Sequence, residues 1–573
     1  MAKHHHAGKA HGTDVVIVGS GAGGSMAAYM LTRAGLNCVL LEAGRDYDPS
    51  REVNMLATSA MAPLRDSATA DKPFGFFDAT VDGGWQVPGE PYTVADGSTF
   101  KWWRTRMLGG RTNHWARHVP RFGPYDFKGF SRDGLGVDWP ISYDDVAPWY
   151  DRTERLVGVY GVNSGLENHP SSSPGVLHAP PKPRIHELLI QAAAADLGIP
   201  VIPTRTAILT RDMPDPHAPR SACYYASPCG RGCNIGAAFQ TTTSLLPMAR
   251  ATGRLKTLTG AMVTRVRLSK PGRAAGVTYI DKATGQTHDV DARAVVLAAS
   301  ACETARLLLN SGEDGQAGLA NGSGQVGRNL MDTIGAHVGA YVPALEGRPI
   351  YNEEGANMPH MYVPFWLYKE QAAGRLNFRR GYHFEIGGGF GPPSAWTGPD
   401  DLPDGYGAGM KAGIKRKMGC NLHMTVRGEM IPNAQSFCER DPTIRDRYGI
   451  PVLRFHWQWQ ANDYAMVEHG LATATAVLTR AGGRITSPAQ SGKDAISTGG
   501  EIIHEVGTAR MGDDARTSVV DRYSQAWEVD NLILADGSVM ASQPHKNPTL
   551  TIMALAMRAS DRLAQRLKTG ALA

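Results

Sequence analysis

Two stretches of this chain carry residues whose types and spacing suggest chemistry. In the first, Thr13 to Gly44, the residues Gly19, Gly21 and Gly24 follow the β-branched run Val15-Val16-Ile17-Val18, and Glu42 follows Cys38-Val39-Leu40-Leu41. Glycines so placed give a tight turn, close approach of backbone to a pyrophosphate and close helix-on-strand packing; an acid after the second strand can accept both ribose hydroxyls. A helix starting at this turn offers unpaired N–H groups and its positive dipole end to anions. Nucleotide binding is the chemistry expected here.

In the second stretch, Cys223, Cys229 and Cys233 are separated by five and then three residues on a loop that bears Pro228, Gly230 and Gly232. Soft thiolates converging from such a loop suit an iron–sulfur cluster. Zinc, with His217 as a fourth ligand, and unliganded thiols are the alternatives. Cys38, Cys302, Cys420 and Cys438 stand singly and read as small buried residues. An odd total of seven cysteines in 573 residues suggests no disulfide framework.

Two further segments belong with the first. Between Lys101 and Phe122, Gly109-Gly110 followed by Arg111, Thr112 and Asn113 would let the backbone and short side chains approach a second part of the cofactor, which a nicotinamide dehydrogenase with one such βαβ unit would not need. Near the C-terminus, Ile552, Leu555, Ala556, Ala559 and Leu563 follow helical spacing, with Pro548 expected at the first helical position and Asn547 as N-cap. Asp536-Gly537 just before them suits a turn near the cofactor.

The elements that must position these residues read as a mixed α/β (α+β) chain. Helices are expected within Trp139–Tyr160 and over Ile185–Asp196, strands over 255–268 and 276–281, and a second buried strand-into-helix over 291–312. Alternation in AHVGAYVP, MYVPFWLY, YHFEIGGGFG, CNLHMTVRGEMI and PVLRFHWQW predicts a broad antiparallel sheet within 335–492, interrupted by a Pro/Gly-rich loop, Gly391 to Gly409, that could border a site entrance. The domains expected are a discontinuous Rossmann-like unit, 13–130, 200–334 and 495–573, with the cysteine loop at 217–237, and a substrate unit, 131–199 and 335–494.

Composition excludes other classes. With 42% hydrophobic and 20% charged residues, a net charge of +5 and no basic run, nucleic acid and anionic membranes are not expected partners. No segment approaches the ~20 apolar residues of a membrane span, and no export signal is expected in this chain. His4, His5 and His6 are given no function.

The N-terminal fingerprint with LEAG, the GGRTNHW loop, VGRNLMD, HEVGT, DGSVM and NPTLT occur in one order from Gly19 to Thr551. Together they resemble the glucose-methanol-choline (GMC) oxidoreductases, FAD enzymes that move a hydride from an alcohol to the flavin. The resemblance implies FAD held by Gly19, Gly21, Gly24, Glu42, Gly109, Gly110, Thr112, Asn113, His114, Asp536, Gly537, Asn547 and Thr549. It implies His504 as catalytic base and Asn547 as its partner; His545, two residues before the matching position, is not given that role. Loops similar to Asn113-His114-Trp115 carry FAD covalently in some relatives, so His114 is a candidate attachment point.

The cysteine loop is similar to that of bacterial sugar dehydrogenase large subunits, which implies a 3Fe–4S iron–sulfur cluster on Cys223, Cys229 and Cys233. It further implies export of electrons to an external acceptor such as a cytochrome c, and a small subunit that carries an export signal, leaving both cytoplasm and periplasm open. The implied reaction is oxidation of a sugar or glycoside hydroxyl to a ketone, with C3 of a glucoside preferred. C1 oxidation, an oxygen-using pyranose oxidase and a flavin-binding electron-transfer subunit without alcohol chemistry are the alternatives.

Overall fold

A computed structural model describes residues 12–53, 82–225, 229–312, 317–349, 359–389, 407–487 and 491–572. His4–His6 and most of Gly391–Gly409 lie outside these residues.

The N-terminal stretch folds as strand Val15–Val18, helix Ala22–Arg33 and strand Cys38–Leu41. These strands belong to a five-stranded parallel sheet, ordered Leu532–Leu534, Ala294–Leu297, Val15–Val18, Cys38–Leu41, Leu255–Leu258. Apart from the edge strand 255–258, each strand is a fully buried apolar run, as a parallel sheet covered on both faces requires. Two glycines set the fit of the first helix. A Cβ on Gly23 would stand 1.6 Å from the carbonyl oxygen of Ala535, and one on Gly24 would stand 1.9 Å from that of Gly19.

The helix that closes the chain, Thr549–Lys568, packs against Ala22–Arg33. It begins one residue later than expected: the carbonyl of Pro548, not that of Asn547, accepts the first helical hydrogen bond, from Ile552 N at 2.9 Å, so Pro548 is the N-cap. Helices Tyr143–Val157 and Ile185–Asp196 form where their spacing predicts.

A second sheet has six strands, ordered Arg484–Ile485, Ile334–Tyr341, Asn421–Gly428, Tyr382–Gly388, Met361–Val363, Ile202–Pro203, all antiparallel. Four of the five alternating stretches join it. The fifth, Pro451–His456, pairs instead with Phe437–Arg445 and, in parallel, with Thr93–Val94. Alternation marks a half-buried strand but not its partner. On one face of the six-stranded sheet Phe384, Ile386, Leu422, Met424 and Val426 are buried, and helix Ala461–Arg480 packs against strands 334–341 and 421–428. This helix was not expected, although Met466, Val467, Gly470, Ala474, Val477 and Leu478, all buried, have its spacing. The opposite face carries Glu385, His423, Thr425 and Arg427 and is only partly covered.

Candidate active site

One long cleft is lined by Gly19, Gly21, Glu42, Gly110, Thr112, Asp536, Gly537, His504 and Thr549. It holds about 1400 Å³ of atom-free space, its open mouth included. A Cβ on Gly21, the residue before helix Ala22–Arg33, would meet nothing within 4 Å. The helix N-terminus therefore opens onto free space suited to phosphates. Glu42 lines the same cleft, fixed by Ser20 N (3.2 Å) and Ser20 Oγ (2.5 Å) on Oε2 and by Gly44 N (2.8 Å) on Oε1. Oε1 keeps a lone pair for a ribose hydroxyl, whereas Oε2 already accepts twice.

The second glycine pair turns the chain back on this loop. Gly109 and Gly110 have φ of +88° and +53°, and a Cβ on Gly110 would come to 3.4 Å from Gly21 Cα. Thr112 donates to Gly109 O (2.6 Å), and Asn113 donates to Leu108 O (2.8 Å) while accepting from Thr242 Oγ1 (3.1 Å), so both side chains brace the loop. Trp115 lines the cleft; Gly24, Gly109, Asn113, His114 and Asn547 do not. His114 is buried with Nε2 2.8 Å from Thr105 Oγ1, and burial beside Arg117 and Arg111 lowers its pKa to about 3. Asp536 holds its turn by accepting from Ser538 N, Ser300 N and Thr304 Oγ1.

His504, in the cleft lining, meets Asn547 beside it, with His504 Nε2 3.3 Å from Asn547 Nδ2. His504 Nδ1 lies 2.9 Å from Thr333 Oγ1. Because an amide nitrogen only donates, this network assigns Nε2 as the unprotonated nitrogen and places the ring proton on Nδ1, towards Thr333. Burial, Arg427, His383 and Arg111 lower the pKa of His504 from 6.5 to about 3, against a smaller opposing pull from Glu385. The imidazole is thus neutral at ordinary pH, the state a proton acceptor needs.

If neutral His504 is the base, the acid limb of flavin reduction lies below pH 6.5: activity persists as pH falls through the ordinary imidazole value and is lost only nearer 3. The pH dependence of anaerobic flavin reduction checks this, and a limb at or above 6.5 contradicts it.

Several residues here carried no role in the sequence. The Asp332 carboxylate accepts the backbone N–H groups of Thr333 (2.9 Å), Ile502 (3.2 Å) and His504 (2.9 Å) and so holds the loop that carries His504. Burial and the neighbouring Glu505 push its pKa up to about 7. Glu385 Oε1 accepts from Asn547 Nδ2 at 3.4 Å, and its Oε2 pairs with Arg427 Nε at 3.0 Å. Two charges at alternating positions of neighbouring strands, YHFEIGG and HMTVRG, were the available signal.

The cysteine loop lies behind the Gly109–Trp115 turn. Arg117, fully buried, donates to Asn113 O (3.0 Å) and Cys229 O (2.7 Å), and also to the carbonyl of Trp115. Cys229 and Cys233 are buried and Cys223 is half-buried; none of the seven cysteines is in a disulfide. Burial pushes the Cys229 thiol up to about 12. The expected three-thiol ligand set does not close around a single ion: among the described residues, only His118, His383 and Glu385 bring ligand atoms within 4.8 Å of one another. Sulfurs on one tetrahedral zinc lie roughly 3.8 Å apart, and His217 is exposed, so the zinc alternative fails. Among the described residues no cysteine-rich cluster site is formed.

Sequence profiles described as GMC oxidoreductase match residues 13–334 and 432–556. The chain belongs to the GMC oxidoreductase family. The 2-methyl-1,2-propanediol dehydrogenase of Mycolicibacterium austroafricanum is 31% identical, over 97% of this chain and 95% of its own. The fructose dehydrogenase large subunit of Gluconobacter japonicus is 28% identical, over 97% and 98%. The crystal structure of pyridoxine 4-oxidase from Mesorbium loti shares the fold, with a TM-score of 0.62 at 18% identity and coverage of 96% and 99%.

As a GMC oxidoreductase the chain is an FAD-dependent enzyme acting on alcohol or sugar hydroxyls, and its cleft fits FAD: free space at Gly21, a fixed acid at Glu42, and His504 in the same lining. No helix among the described residues is long and apolar enough to cross a membrane.

Proposed function

We propose that this GMC oxidoreductase is a dehydrogenase that oxidises a ring hydroxyl of a sugar or glycoside to a ketone and passes the electrons to an external acceptor. The observation that carries the reading is the His504–Asn547 pair, 3.3 Å apart at the FAD cleft. Bound FAD supplies the hydride acceptor. His504 Nε2 takes the hydroxyl proton, Thr333 keeps the ring in the tautomer that can do so, and Asn547 positions the alcohol oxygen beside it. In this reading 13–130, 200–334 and 495–573 hold FAD, and 131–199 and 335–494 hold substrate.

C3 of a glucoside is the first carbon to test, because the segment Gly109–Phe122 resembles glucoside 3-dehydrogenases. Anaerobic reduction of the holoenzyme by methyl glucoside, but not by its 3-deoxy analogue, is the expected result; reduction by both moves the reaction to another carbon.

For the electron route we propose a 3Fe–4S cluster on Cys223, Cys229 and Cys233. The support is adjacency: Arg117 bonds both the cysteine loop and the turn whose Trp115 lines the FAD cleft. A cytochrome c fits as acceptor, and the fructose dehydrogenase relative is itself a large subunit, which supports a small partner subunit and leaves cytoplasm or periplasm as the place of action. His114, held by Thr105 and outside the cleft lining, is proposed to pack behind the flavin without bonding to it.

Iron analysis and acid precipitation of purified protein test both points. About three irons per chain and flavin released into the supernatant are expected. Flavin without iron removes the cluster and makes oxygen the acceptor to test; flavin that stays with the polypeptide shows a covalent bond, for which His114 is the candidate residue.

A further inference from the structure

Glu385 stands beside the catalytic pair on the partly covered face of the six-stranded sheet, its side chain 19% exposed. Arg427 occupies Oε2. On Oε1 the one hydrogen bond is that from Asn547 Nδ2, long at 3.4 Å; His118 Nδ1 and His383 Nε2 approach only to 3.6 and 3.9 Å. Asn547 Nδ2 is at the same time 3.3 Å from His504 Nε2. A single amide nitrogen thus has two acceptors at its sides, the lone pair of the catalytic imidazole and a carboxylate oxygen. A third, Asn547 Oδ1, is buried with no partner among the described residues, as is His383 Nδ1.

Both contacts from Asn547 Nδ2 are long, 3.3 and 3.4 Å, so a hydroxyl donating at ordinary length is the better partner for either acceptor. One hydroxyl has one proton and can donate to only one of these acceptors. Two hydroxyls on adjacent carbons can serve His504 Nε2 and Glu385 Oε1 together. A divalent cation held by His118, His383 and Glu385 fits less well, because the Arg427 guanidinium already compensates the carboxylate and neither imidazole has a carboxylate behind it to orient it.

We propose that Glu385 is a second hydroxyl-binding point and that the substrate class of this enzyme is the vicinal diol, whether free or within a sugar ring. One hydroxyl meets His504 and is oxidised; its neighbour donates to Glu385 Oε1. The proposal deepens the alcohol-oxidation reading and rests on it for the role of His504.

The test separates binding from turnover in the FAD-loaded enzyme. Pinacol carries two adjacent tertiary hydroxyls and no carbinol hydrogen, so it can bind but not be oxidised; 2,3-dimethylbutan-2-ol lacks the second hydroxyl. Titration followed by the flavin absorbance change should show pinacol binding about tenfold or more tighter than the mono-ol, as for a hydrogen bond to a charged group. In Glu385→Gln that preference should shrink towards unity. The same comparison by anaerobic flavin reduction uses propane-1,2-diol and 1-methoxypropan-2-ol, whose kcat/KM ratio should fall in the variant.

Equal binding of pinacol and the mono-ol by the unaltered enzyme overturns the proposal and needs no variant. A Glu385→Gln protein that weakens both ligands by the same factor also overturns it, because Glu385 then only positions Asn547. If pinacol is preferred but methyl glucoside does not reduce the flavin, the diol site stands and the sugar reading falls.

Discussion

Replacing His504 with alanine is expected to slow flavin reduction by the alcohol substrate about 10²–10⁴-fold, the usual contribution of a positioned general base. FAD should remain bound. The imidazole bonds Thr333 and Asn547, whereas Glu42, suited to the ribose, is held by Ser20 and Gly44. The loss should therefore appear in the rate of anaerobic bleaching and not in flavin content. Asp332→Asn should lower the same rate by less, because one of the two oxygens that accept from the loop's three N–H groups becomes a donor while the imidazole stays. A His504→Ala protein that bleaches at the normal rate would remove the base from the mechanism, and a protein that has lost its flavin would leave His504 a structural residue.

The second large effect separates two glycines that a sequence motif treats alike. A Cβ on Gly24 would lie 1.9 Å from Gly19 O and 3.2 Å from Ala298 Cβ, so alanine there pushes the first helix off the sheet. Gly24→Ala should destabilise the protein by about 3 kcal/mol, the upper end of the usual range for overpacking, and leave little folded holoenzyme. A Cβ on Gly21 meets nothing within 4 Å. Gly21→Ala should fold with a nearly unchanged thermal midpoint when FAD is withheld, yet bind FAD at least tenfold more weakly, because the new methyl group points into space the cofactor needs. Thermal unfolding and flavin titration of the two proteins decide the matter; equal FAD affinity for Gly21→Ala and the parent chain would mean that the pyrophosphate does not pass there.

These contrasts show which physical information was local in the chain. The turn after Val15–Val18, the helix Ala22–Arg33 and the acid at Glu42 were readable because each depends on neighbours within a few residues. Helix Ile185–Asp196 was readable for the same reason. Strand Pro451–His456 was recognisable as a strand, but its pairing with Phe437–Arg445 and Thr93–Val94 is a long-range choice that alternation does not encode.

The motifs that carry His504 and Asn547 lie apart in sequence, and the fold brings the two side chains to 3.3 Å. Glu385 and Arg427 were missed because a charge at an alternating strand position usually faces solvent; only the sheet register and the position of Asn547 turn that face into part of the site. The three cysteines show the opposite case. Their close spacing is plain in the sequence, but the distances between their thiols depend on the fold of the whole loop around Arg117.

The central claim is that this protein takes a hydride from an alcohol carbon while His504 takes the proton. The most direct measurement is stopped-flow bleaching of the bound flavin, without oxygen, by methyl glucoside and by the same glycoside deuterated at C3. The account predicts bleaching in a single exponential phase that slows severalfold with deuterium. Bleaching at the same rate with both would place the rate-limiting chemistry elsewhere, and no bleaching by this glycoside or by any other alcohol would contradict the account.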